Sequence, residues 1–164
     1  MLDEVKKNYM ISFDFKQTKT RAEVANILSF IQNKENSNSK ENKEAILMPF
    51  MYNVPGEKML FICTEMPFKR SRCHSTPKGY HLKEWINVKI LQGKFGKKYL
   101  YKVIIRGKEI LSVEIKNPKV YKQVSVYASG PNHPDMHGMI RNLKIDGKYR
   151  SRHDLMVRHN YLFD

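Results

Sequence analysis

Acidic residues are scarce in this chain of 164 residues: sixteen Asp and Glu face thirty Lys and Arg, a formal net charge of +14. A field of that sign attracts polyanions such as sulfated glycans, nucleic acid or an acidic membrane surface. A solvated basic surface that serves only solubility is the plainer reading of the same excess. No apolar run is long enough to span a bilayer. Residues Met1 to Lys7 (MLDEVKK) lack the apolar core of a signal peptide, so the chain is read as leaderless or trimmed. Cysteine is limited to Cys63 and Cys73. No second Cys or His pair has zinc-ligand spacing, which removes a structural zinc site. The two cysteines either stay as thiols or bond, and a bond would stabilise the small loop between them by roughly 2–3 kcal/mol. No segment carries the apolar stripe of an amphipathic helix.

Strand patterns are what the chain does have. Tyr9, Ile11, Phe13 and Phe15 alternate with Met10, Ser12, Asp14 and Lys16, the period-two signature of a half-buried antiparallel strand. Ala25 to Ile31 is a second, more continuously apolar strand. Residues 32–44 (QNKENSNSKENKE) are wholly polar and read as a mobile loop. Ile46 to Tyr52 and Lys58 to Thr64 form a hairpin around the turn residues Val54-Pro55-Gly56-Glu57, with Pro49 marking an edge or a bulge. Met66 to Gly79 reads as an irregular basic loop. Further strands are expected at Trp85 to Ile90, Tyr99 to Arg106, Glu109 to Ile115, Val120 to Ala128 and Met139 to Ile145. Glycine-bearing turns are expected at 92–97 and at Gly107-Lys108. About nine short strands with short connections predict an all-β, antiparallel two-sheet sandwich or barrel. The length suits one domain, placed at 1–147, followed by a basic tail at 148–164.

Several pieces in order resemble the concanavalin A-like lectin and laminin-G type of jelly roll. They are Ile11–Phe15 (ISFDF) with Ala25–Phe30 (ANILSF), Lys58–Cys63 (KMLFIC), Trp85–Gln92 (WINVKILQ) with Lys98–Ile110 (KYLYKVIIRGKEI), and Val124–Ser129 (VSVYAS) with Ile140–Ile145 (IRNLKI). The resemblance covers roughly Tyr9 to Ile145. It implies a sandwich whose concave sheet and rim loops take ligands: sugars in many members, some through calcium, and proteins or heparin-like chains in others. The galectin sugar-reading pattern is not reproduced, since Trp85 follows Glu84 rather than preceding a glutamate. Nor is there an acidic cluster like the legume-lectin metal site.

Between Trp85 and Lys108 there is no acidic residue, while Lys89, Lys94, Lys97, Lys98, Lys102, Arg106 and Lys108 all fall there. Strand alternation places Lys102 and Arg106 on one face. Such a stripe holds successive sulfates or phosphates by charge, and its binding weakens as salt rises. Lysines guarding a sheet edge against aggregation would look the same. A second group, Lys69, Arg70, Arg72 and His74, lies in the loop before and around Cys73, where guanidinium forks match sulfate or carboxylate oxygens. The tail adds Lys148, Arg150, Arg152, His153, Arg158 and His159, which would also suit nucleic acid, although no nucleic-acid motif accompanies them. His133, Asp135 and His137 offer three donors to a divalent metal in a turn, the one hint of a hydrolase. The expected function is therefore a non-enzymatic, lectin-like module for anionic or sulfated glycans, extracellular or secreted, with no cofactor. Its candidate ligand residues are Lys69, Arg70, Arg72, Lys94, Lys97, Lys98, Lys102 and Arg106. The alternative is a protein–protein interaction domain of a larger secreted or surface protein.

Overall fold

The computed structural model describes residues 2–20, 25–32, 48–53, 60–64, 72–75, 80–128 and 136–147. These form eleven strands: β1 (Leu2–Val5), β2 (Tyr9–Gln17), β3 (Ala25–Gln32), β4 (Met48–Asn53), β5 (Leu60–Thr64), β6 (Arg72–Ser75), β7 (Ile86–Phe95), β8 (Lys98–Ile105), β9 (Lys108–Glu114), β10 (Tyr121–Tyr127) and β11 (Gly138–Asp146). One sheet has six strands in the order β1-β10-β3-β4-β5-β6, the other five in the order β11-β2-β7-β8-β9. Every pairing is antiparallel. No helix among the described residues is long and apolar enough to cross a membrane.

Alternation on β2 builds the core. Tyr9, Ile11, Phe13 and Phe15 are fully buried, as are Ile86, Val88 and Ile90 on β7 beside them. The six-stranded sheet answers with Ile27, Leu28, Phe30, Ile62, Tyr121 and Val124. Sealing such side chains between two sheets is the main favourable term in this fold, about 1.5–3 kcal/mol for each large apolar side chain. Polar groups that enter the core are partly paired: Tyr80 Oη donates to Gln17 Oε1, and Gln92 Nε2 donates to the Lys7 carbonyl at 3.0 Å.

Two hairpin turns explain the tight connections in the five-stranded sheet. Phe95 pairs with Lys98, leaving Gly96 and Lys97 as a two-residue loop, and Gly96 alone has positive φ (61°), as a type II′ turn requires. Ile105 pairs with Lys108 around Arg106 (φ 52°) and Gly107 (φ 77°), a type I′ pattern. The structure departs from three expectations. β7 runs five residues beyond Ile90, through the stretch around Gly93 that was expected to turn. Arg106 is a turn residue and not a member of the β8 face with Lys102. Gln32 is the last residue of β3 and not the start of a loop. Residues 33–44 of the expected mobile loop and the tail 148–164 lie outside the described residues.

Two strands were not anticipated. β1 is a short segment with two acidic residues, and β6 lies within the stretch expected to be irregular. The β5–β6 register sets Cys63 opposite Cys73. Pro49 falls at a bulge, as one of its two expected settings: Phe30 pairs with Met48 and Leu28 with Met51, so the β4 side carries one extra residue.

Close strand approach also fixes one glycine. A Cβ at Gly138, where β11 begins, would collide with the Lys16 carbonyl oxygen, sit 2.7 Å from Met136 Cε and lie 3.1 Å from Gln17 Cα. Gly138→Ala is expected to lower stability by about 1–3 kcal/mol, because the backbone of β2 must shift to admit the methyl group. Urea unfolding of the two proteins checks this, and equal midpoints would refute it.

Candidate functional site

The outward face of the five-stranded sheet is built by the same alternation that buries Phe13 and Phe15, since Ser12, Asp14 and Lys16 must point the other way. The register extends this row of β2 sideways. Arg141 on β11 and Asn87 on β7 flank Asp14; Lys144 and Lys89 flank Ser12; Met139 lies opposite Lys16. With strands about 4.8 Å apart, Lys144 and Lys89 stand roughly 10 Å from each other across Ser12.

Asp14 organises this face. Its Oδ1 accepts from Asn87 Nδ2 at 2.8 Å, and its Oδ2 accepts from Asn142 Nδ2 at 2.8 Å and from Arg141 Nε at 3.3 Å. Partial burial by itself would raise the Asp14 carboxyl. The hydrogen bonds from Asn87, Asn142 and Arg141, with the Arg141 charge, outweigh it and hold the carboxyl below its ordinary value of 3.8. Two neighbouring residues of β11 reach one carboxylate because of a bulge. Arg141 pairs with Asp14 and Lys144 with Ser12, so one residue too many lies between them, and Asn142 takes positive φ (54°). Asparagine tolerates that conformation better than most side chains.

Trp85, just before β7, lies beside this group. The Arg141 guanidinium carbon is 3.9 Å from its ring centroid and the Lys16 ammonium 4.7 Å. Both distances fall within cation–π range, worth about 0.5–1 kcal/mol each at exposed sites. The outcome is a half-buried aromatic with two cations gathered on it and one saturated carboxylate beneath.

The structure places the expected ligand residues unevenly. Three have carboxylate partners: Lys98 with Glu114 at 2.9 Å, Lys102 with Glu109 at 2.7 Å and Arg106 with Glu84 at 2.7 Å. The stripe free of acids in sequence is thus supplied with acids from β9 and from the residue before Trp85. Exposed pairs of this kind add little stability, but they offset local positive charge. Lys102 also lies 5.0 Å from the Phe95 ring. Lys94, at the end of β7, and Lys97, in the turn, are at the β7–β8 tip. Arg72 is on β6, in the other sheet. Lys69 and Arg70 lie outside the described residues, as do His133, Asp135 and the tail cations. The His137 carbonyl accepts from the Thr18 backbone N–H at 2.7 Å and from its Oγ1 at 3.0 Å, which ties the segment before β11 to the end of β2. Among the described residues no group of three His, Cys, Asp or Glu side chains is placed to hold a metal ion. Sequence reasoning did not single out Asp14, Lys16, Arg141 or Asn142. A polar residue within a strand core pattern, Asp14 between Phe13 and Phe15, was the one available signal.

No known protein family matches the chain, and no curated protein matches it in sequence. Solved structures match it in shape. A heptameric SAP-like pentraxin from Limulus polyphemus superposes with a TM-score of 0.64 at 14% identity, over 94% of this chain and 70% of the pentraxin chain. The CBM40 of a Ruminococcus gnavus IT-sialidase, solved with α2,3-sialyllactose bound, gives 0.61 at 13% identity, over 93% of this chain and 81% of its own. An alginate lyase from Pseudomonas aeruginosa gives 0.53 at 12% identity, over 85% and 64%. The chain is a concanavalin A-like jelly-roll sandwich, as the strand order and these neighbours agree. At these identities the likeness carries fold alone, and the same scaffold serves binding proteins and an enzyme.

Because the folded-state carboxyl of Asp14 is depressed, its contribution to stability is complete above its unfolded value of 3.8 and is lost as pH falls through the lower folded value. Asp14→Asn is therefore expected to cost about 2 kcal/mol near neutrality, the scale of hydrogen bonds to a charged group. The gap from the unaltered protein should close in strongly acidic buffer. Denaturant unfolding of both proteins across that pH range measures it, and a gap independent of pH would contradict this account.

Proposed function

We propose that the chain is a non-enzymatic, lectin-like module that holds anionic glycans in an extracellular setting. The supporting observation is the outward face of the five-stranded sheet, where Lys16, Lys89, Lys144 and Arg141 stand around Asp14, a carboxylate already saturated by three donors. Among the described residues Lys16, Lys89 and Lys144 have no ion-pair partner. A glycan bearing carboxylates or sulfates would replace their counterions and gain affinity from that release. Sheet-built polar faces suit sugars because rigid strands hold donors at fixed spacing, so less ordering entropy is lost on binding. The neighbour solved with sialyllactose bound is a protein of similar fold occupied by an acidic sugar, which is consistent with this reading.

A second reading, a protein-interaction domain, is favoured by one feature. β11 is the outer strand of its sheet, and Met139 and Leu143 on it are 47% and 40% exposed. Exposed apolar side chains on an edge strand suit a protein partner, whose binding would survive high salt.

A heparin column developed with rising salt separates the two. Retention beyond physiological ionic strength is expected. Elution at or below it would sink the glycan reading.

A further inference from the structure

Within that glycan reading, we propose that Arg141 is the specificity-determining contact: a preorganised fork that receives the carboxylate or sulfate of a bound sugar. The two sides of its guanidinium are already engaged. Nε donates to Asp14, and the central carbon lies 3.9 Å from the Trp85 ring centroid. Engaging both removes rotamer freedom before a ligand arrives, so binding gives up less entropy than a free arginine would. Only Nε is committed to Asp14. No protein acceptor is recorded among the described residues for the two terminal nitrogens, and the side chain remains 52% exposed. Two parallel N–H donors at that spacing match paired oxygens on a carboxylate or sulfate, which an ammonium does not.

The surroundings favour an anion over any other occupant. Asp14 accepts three hydrogen bonds, so it is ill placed to neutralise a further cation. Lys16 brings a second positive charge to the same ring, 4.7 Å from its centroid. Two like charges beside one aromatic repel each other, and an anion between them relieves that repulsion. Lys144 and Lys89, one row away on the register, extend the positive field along the sheet.

The molecule carries its own reporter, since Trp85 is the single tryptophan. The full chain is titrated with heparin, with hyaluronan (carboxylate only), with dextran sulfate (sulfate only) and with neutral dextran. Tryptophan emission is followed at low and physiological salt, and affinity is measured separately by calorimetry. A saturable emission change is expected with heparin and with one of the two single-group polymers, which identifies the acidic group read, and none with neutral dextran. Arg141→Lys keeps the charge and removes the fork. It is expected to weaken the preferred polymer at least tenfold while leaving the salt dependence of binding unchanged, because the number of cations is the same. If heparin binds by calorimetry but Trp85 emission does not move, or Arg141→Lys binds as the unaltered protein does, this inference falls while the glycan module stands. If no polymer binds at either salt, both fall. Should Arg141→Lys fail to fold, the emission titration of the unaltered chain decides alone.

Discussion

Strict alternation along β2 is the constraint on which the molecule depends. Phe13 and Phe15 are fully buried, and losing either to alanine would remove several kcal/mol of packing. Their register is therefore fixed, and a shift of one residue would send Asp14 and Lys16 into the core. The energy that holds the sandwich together is thus the same energy that presents Asp14 and Lys16 outward in a defined row, with the small Ser12 covered between its neighbours. The position of β2 between β11 and β7 then turns a one-strand pattern into a three-strand polar surface.

Excess positive charge is handled differently in different parts of the sheet. On the β8–β9 side two lysines meet glutamates across or near a hairpin, Lys98 with Glu114 and Lys102 with Glu109. On the β11–β2–β7 side Asp14 is shared by an arginine and two amides, Asp146 closes β11 two rows away, and among the described residues Lys16, Lys89 and Lys144 have no ion-pair partner. The first arrangement offsets part of the local charge. The second leaves a net positive field above a rigid support, and fields of this kind steer charged ligands. Pairing therefore distinguishes Lys98 and Lys102 from Lys16, Lys89 and Lys144, although both sides of the sheet are lysine-rich in sequence.

How much of this was legible before folding depended on the range of the signal. The alternation of Tyr9 to Phe15 and of Tyr99 to Ile105 is local and was readable at once. β6 was not, because Arg-Cys-His-Ser has no apolar alternation and its strand character comes from pairing with β5. Glycine misled the reading of β7: Gly93 stands inside the strand, and Gly96, three residues on, makes the turn. The basic window from Trp85 to Lys108 was correct as composition. Its acids lay one residue outside at either end, in Glu84 and Glu109, and further on in Glu114, so a window drawn on sequence missed pairings that hairpin geometry makes routine. The Asp14–Arg141 contact joins residues 127 apart, and no local pattern encodes it.

The bulge in β11 is where fold and site depend on each other most closely. In a regular strand Arg141 and Asn142 would point to opposite faces, and only one of them could meet Asp14. One extra residue and a left-handed asparagine bring both to the same carboxylate. That conformation is strained for an L-residue by roughly 1–2 kcal/mol, offset here by a 2.8 Å hydrogen bond from the same side chain. Bulges of this kind re-aim side chains at sheet edges, and strain retained on an exposed edge strand is a mark of placement rather than of packing. A sheet edge selected for stability alone would gain by a regular β11. The irregular one instead fixes the orientation of an exposed guanidinium against Trp85, which is the preorganisation the proposed anion contact requires.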